Sequence, residues 1–160
     1  MELLFLSLTV ISMTRDSYKD RVAIICGSAP CVKDEFEIVS KSYPNAIIIG
    51  INEAVWHIHC HLLMTCHVNE VDHFLDGSKN KEIEVHTSKY YPDYVNKYPE
   101  YNFWEGIKGG ATSAIDAVQI CQRMDFKEII LVGCPMNGGD GYFYGEKAKE
   151  NAEGCCLIIR

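Results

Sequence analysis

The residues best placed to do chemistry form a turn of small residues between an apolar run, Val22 to Cys26, and a helix-compatible stretch, Val32 to Ser42. The turn consists of Gly27, Ser28, Ala29, Pro30 and Cys31. Where a buried strand passes through such a turn into a helix, backbone N–H groups and the positive end of the helix dipole favour an anion. The spacing matches neither the dinucleotide fingerprint nor the lysine-bearing P-loop. The turn therefore predicts either a phosphate site for an unspecified nucleotide or an ordinary strand-to-helix connection.

A second turn of this kind precedes the clearest helical pattern, which runs from Ser113 to Met124. Two glycines and an alanine at 109–111 lead into Thr112 and Ser113, and either hydroxyl is able to cap the helix. Ser113 with Asp116 would form a capping box. The segment predicts either a second anion site or a well-capped helix.

Strand-like and helix-like segments alternate along the rest of the chain. The predicted strands are Val22–Cys26, Ala46–Ile51, Leu62–Cys66, Ile83–His86 and Glu128–Val132. The predicted helices are Val32–Ser42, Glu53–Ile58, Asn69–Leu75 and Ser113–Met124. The segment from Tyr90 to Phe103 is rich in Tyr, Pro and Asn and is predicted to be irregular. Continuous β-branched runs are typical of strands covered on both faces, so we expect an α/β, doubly wound, mainly parallel sheet in a single domain.

Polar residues follow several of these strands, at the edge of the sheet where such folds bind ligands. Asn52 follows the second strand, His67 follows the third, and Gly133 opens a glycine-rich loop after Val132. That loop ends in an aromatic run containing Tyr142 and Tyr144. Asn52 is either a ligand-binding residue or an ordinary polar residue at a strand end.

The histidines at 57, 59 and 61 alternate, with Cys60, Cys66 and His67 close by in the sequence. Zinc binds side chains of these types, but the spacing is not that of a known four-ligand site. We therefore expect no metal, and we interpret His67 as the histidine aimed at a ligand.

Composition bounds the class of protein. The chain has 160 residues, is 48% hydrophobic and carries a formal net charge of −7. These values favour one globular domain and argue against binding to nucleic acid or to an acidic membrane. The 8 cysteines lie mostly in apolar runs, and there is no C-x-x-C pair, which indicates a cytoplasmic protein.

The two ends of the sequence carry apolar segments. Met1 to Ser12 lacks the basic residues and cleavage site of a secretory signal and is too short to span a bilayer. We interpret residues 1–20 as a lead-in, either with an extra edge strand or with the functional start at Met13, and residues 21–160 as the domain. Leu157 to Ile159 resembles the start of a further buried strand, and an exposed apolar edge there would favour a homo-oligomer.

Several of the residues described above resemble the motifs of a known protein family. The loop from Gly27 to Cys31, Asn52 after the second strand, the Thr112–Ser113 pair and Gly133 occur in this order in a known group of Rossmann-type proteins. That group contains the bacterial sialyltransferases that use CMP-sialic acid and the 6-hydroxymethylpterin diphosphokinase-like proteins. The chain is also similar to uncharacterised phage and bacterial proteins with a comparable first loop.

The resemblance to the sialyltransferases implies a set of site residues and a Rossmann-like sheet. Gly27, Ser28, Asn52, Thr112 and Ser113 would contact the cytidine nucleotide. The rest of the first loop, Ala29 and Pro30, together with Gly133, would complete the nucleotide site, and Tyr142 or Tyr144 would touch its phosphate. No cofactor is implied. Pro135 stands where the diphosphokinases have an acidic residue, which argues against their metal-dependent chemistry.

We therefore expect a nucleotide or nucleotide-sugar binding domain of the glycosyltransferase type. The first alternative is a non-catalytic phage-type binding module, and the second is a pterin-type diphosphokinase. In the transferases the catalytic histidine follows the late glycine-rich loop, whereas here no histidine follows His86. We accordingly expect poor sugar transfer, with His67 as the substitute base, and a domain that is incomplete at its C-terminal end.

Overall fold

The strands form one sheet, and it is mostly parallel. The computed structural model describes residues 17–88, 92–107, 112–134 and 157–159. Its strands are β1 (Val22–Cys26), β2 (Ile47–Ile51), β3 (Leu62–Thr65), β4 (Glu84–Ser88), β5 (Asn102–Trp104), β6 (Glu128–Val132) and β7 (Leu157–Ile159). Its helices are α1 (Val32–Ser42), α2 (Ala54–His57), α3 (Val71–Gly77), α4 (Pro92–Lys97) and α5 (Ser113–Arg123), with a 3₁₀ turn at Val68–Glu70.

The order of the strands is β5-β4-β3-β2-β1-β6-β7. Every neighbouring pair is parallel except β6 and β7, which are antiparallel. The chain adds strands outward from β1 to β5 and then returns to place β6 on the other side of β1. The direction of winding therefore reverses between β1 and β6. The prediction of a Rossmann-like, doubly wound α/β sheet in a single domain is confirmed.

Both faces of the sheet are buried, as the continuous apolar strands predict. One face packs against α1, α2 and α3, where Val32, Val55 and Phe74 cover the strands. The other face packs against α5 through side chains that include Ile120 and Cys121. Helices on both faces remove the apolar strands from water, which is the main stabilising contribution in a sheet of this kind.

The prediction of an irregular segment between Tyr90 and Phe103 is wrong for most of its length, because the segment contains α4 and most of β5. Helix α4 begins at Pro92, a residue suited to the first position of a helix. One turn of helix places the rings of Tyr94 and Tyr98 in a stack, 6.0 Å between centroids, and Tyr98 stacks on Tyr101 at 4.9 Å. Aromatic stacking thus replaces the apolar periodicity that identifies longer helices.

Strand β7 is present where the apolar residues near the end of the sequence predict a strand, but it is not buried. Ile158 is 45% exposed, because β7 lies at the edge of the sheet and pairs only with β6 in the described residues. The predicted lead-in up to residue 16, the glycines at 109–110, and Tyr142 and Tyr144 lie outside the described residues. None of the described helices combines the length and the apolar character that a membrane span requires.

Candidate functional site

The loops that follow β1 and β6 touch each other where the winding of the sheet reverses. The Gly27 N–H donates to the Val132 carbonyl over 2.9 Å, and the Ala29 N–H donates to the Gly133 carbonyl over 3.1 Å. A Cβ atom at position 27 would lie 2.2 Å from the Gly133 oxygen, so only glycine allows the two loops to come this close. Two backbone N–H groups of the predicted phosphate loop are therefore already engaged within the protein.

A carboxylate from α1 lies at the same place. The Gly133 N–H donates to Oε2 of Glu35, which lies in the first turn of α1, over 2.7 Å. Gly133 has a φ of +61°, and a Cβ there would lie 2.4 Å from Cβ of Val32. The positive end of the α1 dipole thus has an anion supplied by the protein itself. Among the residues of the β1 loop, Ser28 is half-buried and its N–H has no acceptor within the described chain.

The predicted residues Asn52 and Ser113 meet beside the ends of β2 and β3. We call Asn52, Thr65, Cys66 and Ser113 the carboxyl-edge cluster. The Thr65 hydroxyl donates to Oδ1 of Asn52 over 2.7 Å, and the Ser113 hydroxyl lies 3.5 Å from the same oxygen. The Cys66 N–H donates to Oγ of Ser113 over 3.2 Å, and the Cys66 sulfur lies 3.1 Å from that oxygen. The cluster joins three segments that are distant in sequence.

Local backbone geometry places each member of the cluster. Asn52 has a φ of 51°, a left-handed conformation that asparagine tolerates better than most residues. Thr112 is the N-cap of α5 and accepts from the Ile115 N–H, so Ser113 is the first helical residue. The predicted capping box of Ser113 with Asp116 is wrong, because Ser113 lies inside the helix and turns its hydroxyl toward the sheet.

His67 lies next to the cluster, immediately after Cys66. Its side chain is exposed, and its N–H donates to Oγ1 of Thr65 over 2.9 Å. Thr112 is also exposed. The structure therefore brings Asn52, Ser113 and the backbone of His67 together, while the β1 loop and Gly133 form a separate group of contacts one or two strands away.

The alternating histidines precede β3 and so lie toward its amino end, opposite the carboxyl-edge cluster. His61 precedes β3, and its Nδ1 accepts from the Ile48 N–H over 2.9 Å. Burial is the main cause that lowers the pKa of both His57 and His61 from the ordinary value. Within the described ranges, no three His, Cys, Asp or Glu side chains lie close enough together to hold a metal ion.

The sequence pattern does not predict the roles of several polar residues that matter to the structure. Thr65 and Glu35 lie in segments correctly predicted as strand and helix, but nothing in their spacing indicates a hydrogen bond to a distant residue. The third is His86, which the sequence pattern predicts only as the end of a strand. A polar residue inside an apolar strand, such as Thr65 or His86, is the signal that was available.

His86 belongs to a buried network on the α5 face of the sheet. It is 0% exposed, accepts from Nε1 of Trp104 at Nδ1 over 2.9 Å, and lies 2.9 Å from Oε1 of Glu84 through Nε2. Because an indole N–H can only donate, Nδ1 carries no proton and Nε2–H donates to Glu84. Glu84 also accepts from Asn102 and from the Tyr18 hydroxyl.

This network holds its charged member in the ionised form. The hydrogen bond from His86 is the largest cause that lowers the pKa of Glu84, against the opposing effect of burial. Burial is also the main cause that raises the pKa of Tyr18. The network ties β4 and β5 to the segment before β1.

Comparison of the chain with known protein families and with curated protein sequences finds no match in either.

Proposed function

We propose that this chain binds a nucleotide or nucleotide-sugar at the carboxyl ends of β1, β2 and β3, as a domain of the glycosyltransferase type. The observation that carries the proposal is the carboxyl-edge cluster. It gathers an amide, two hydroxyls and the first turn of α5 at the edge where open α/β sheets bind ligands. The adjoining loops of β1 and β6 meet at the reversal point of the sheet, which is the usual place for a nucleotide in such folds.

The contacts indicate how the ligand would lie. The N–H groups of Ser113 and Ala114, at the start of α5, have no acceptor within the described residues. Those of Gly27, Ala29 and Gly133 donate to protein acceptors, one of them the Glu35 carboxylate. A phosphate is therefore disfavoured beside Glu35, and the donors that remain for it are the N–H groups at the start of α5, whose first turn also contains the buried Asp116 carboxylate. The nucleoside would extend toward the β1 loop, where an uncharged group is better tolerated.

Sugar transfer would require a base in addition to this site. An acceptor hydroxyl would attack the anomeric carbon, the bond from that carbon to the nucleotide phosphate would break, and the acceptor proton would pass to the base. The amide and hydroxyl groups of the cluster are not bases at neutral pH. His67 directly follows Cys66, its backbone is hydrogen-bonded to Thr65 and its side chain is exposed, so it is the base that we propose.

The same observation supports a second candidate function, a binding module without transferase activity. The cluster contains groups that donate and accept hydrogen bonds, which suffice to bind a nucleotide. Incubation with CMP-sialic acid and candidate acceptors, followed by the release of CMP, separates the two functions. Turnover above the rate in buffer that is lost in His67→Ala supports the transferase, and binding without turnover supports the module.

Binding itself is tested with a panel of CMP, CDP, UDP, GDP, ATP and NAD in thermal unfolding and calorimetry. A ligand present at a hundred times its Kd adds about 2.7 kcal/mol to the unfolding free energy. Ser113→Ala should weaken the binding of the preferred nucleotide. Its control is Ser78→Ala, which removes an equally buried hydroxyl that donates to the Asn80 carbonyl. No binding by the wild type, or equal binding by both variants, contradicts the proposal.

A further inference from the structure

A directed chain of hydrogen bonds fixes the side-chain amide of Asn52. The His67 N–H donates to the Thr65 hydroxyl over 2.9 Å, and that hydroxyl donates to Oδ1 of Asn52 over 2.7 Å. Thr65 is 2% exposed, so its hydroxyl proton depends on a protein acceptor. Asn52 is half-exposed, and no residue in the described ranges accepts from its Nδ2.

Counting protons disfavours the opposite orientation of the amide. If Nδ2 faced Thr65, the Thr65 oxygen would accept from both His67 and Asn52, and its own proton would have no acceptor within the described chain. A buried donor without an acceptor is costly. The Ser113 hydroxyl, 3.5 Å from Oδ1 of Asn52, is able to donate to that oxygen as well. Asn52 therefore directs its NH₂ group outward from the cluster.

We propose that Thr65 is a positioning residue that makes Asn52 a hydrogen-bond donor, so that the site selects a ligand oxygen that only accepts. This inference rests on the proposed function. Two parts of a nucleotide supply such an oxygen: the carbonyl of a pyrimidine and the phosphate. Both are acceptors without a proton at neutral pH, and a fixed NH₂ group discriminates in favour of such groups.

The chain offers a matched control on the neighbouring strand. Thr87 pairs in register with Thr65, is 0% exposed, and its hydroxyl has no hydrogen-bond partner in the described part of the structure. Thr65→Val and Thr87→Val are the same isosteric change at paired positions. Only the first removes a hydrogen bond to Asn52, so a difference in ligand binding between them reports that bond.

The experiment measures the affinity of the wild type and variants for CMP by calorimetry. We expect Thr65→Val to bind about tenfold more weakly, Thr65→Ser to recover the wild-type affinity, and Thr87→Val to match the wild type. A nitrogen–proton NMR spectrum should show the Asn52 side-chain amide shifted in Thr65→Val and unchanged in Thr87→Val. Cytidine and ribose 5-phosphate, titrated separately, distinguish the two oxygens: the weakened ligand identifies the group that Asn52 contacts.

If Thr65→Val does not fold, Asn52→Asp supplies the test, because a carboxylate oxygen replaces the donor and should weaken CMP binding by at least the same factor. Wild-type affinity in Thr65→Val, or in Asn52→Asp, would overturn the inference while leaving the proposed function intact. Absence of binding by the wild type would overturn the proposed function, and the inference with it.

Discussion

The polar side chains of His86 and Thr65, inside this sheet, form hydrogen bonds of two different kinds. His86 has a partner at each ring nitrogen, Trp104 on one side and Glu84 on the other, and is fully buried. Thr65 accepts one hydrogen bond and donates another. The first arrangement joins strands and stabilises the fold, whereas the second directs a neighbouring side chain outward. Whether a polar atom carries a proton to donate decides which of these two roles its residue has.

The Glu84 network predicts a pH dependence of stability. The pKa of Glu84 is lowered in the folded state, chiefly by the His86 hydrogen bond, so its ionised form stabilises the fold at neutral pH. That contribution is present above the unfolded-state pKa and is lost as the pH falls through the folded-state value. In urea unfolding between about pH 6 and about pH 3, the wild type should lose more stability than Glu84→Gln.

At neutral pH the Glu84→Gln variant should itself be less stable, by about 1.5–3 kcal/mol, because hydrogen bonds to a charged group are lost. Glu37→Gln is the control, since Glu37 is exposed and pairs with Lys41 on the surface of α1. Parallel pH profiles for the wild type and Glu84→Gln would show that the network does not set the acid stability.

The cysteines predict a pattern of chemical reactivity. Burial raises the pKa of the Cys26 and Cys121 thiols and raises that of Cys60 to about 12, whereas Cys66 is half-exposed. Alkylation of the native protein at pH 8, followed by mass spectrometry, should modify Cys66 well before Cys26, Cys60 or Cys121. A bound nucleotide should slow the modification of Cys66, and equal modification with and without it would place the ligand elsewhere.

At the scale of the elements, the two loops at the reversal point are held together by backbone contacts that only glycine permits. Gly133 combines a positive φ with a close approach to Val32. Gly106 also has a positive φ, but a Cβ there would meet nothing closer than 3.7 Å. Adding a methyl group at Gly106 would cost backbone strain alone, whereas adding one at Gly133 would cost backbone strain and a steric clash.

Gly133→Ala should therefore destabilise the protein more than Gly106→Ala does. The left-handed conformation costs an alanine about 1–2 kcal/mol at either position. Crowding against Val32 should add about 1–3 kcal/mol at Gly133 alone. Urea unfolding of the two variants measures the difference, and equal losses would mean that α1 shifts to accept the extra methyl group.

Most of the elements could be predicted from the sequence, because their patterns are local. The apolar runs of β1, β2 and β6 and the helical spacing in α1 and α5 give these elements to within a residue or so at each end. Helix α4 and strand β5 could not be predicted, since their short segments are stabilised by stacked tyrosines and by contacts with β4. That Asn52 and Ser113 lie close together could be predicted, because the carboxyl ends of parallel strands share one edge of the sheet. The hydrogen bond from Thr65 to Asn52 could not, because it depends on atomic distances.

At the scale of the whole molecule, the sheet ends in two edge strands, β5 and β7. Such an edge offers unpaired backbone groups to another chain. In the described residues no strand covers the outer side of β7, and Ile158 is 45% exposed. We propose that two copies associate through this edge.

Light scattering over a range of concentrations should then detect a dimer. Ile158→Lys should be monomeric, because a charge on an edge strand opposes pairing with another strand. Ile38→Lys changes an isoleucine that is 68% exposed on α1 and should leave the dimer intact. A wild type that stays monomeric at every concentration contradicts this proposal without affecting the nucleotide site.

A titration of labelled protein with CMP in two-dimensional nitrogen–proton NMR decides whether the carboxyl ends of the parallel strands bind a nucleotide. If they do, the backbone amides of Cys66 and Ser113 and the Asn52 side chain should shift, and His61 and Glu84 at the other end of the sheet should not. Shifts confined to that other end, or no shift at millimolar CMP and the other nucleotides, would contradict binding at these strand ends.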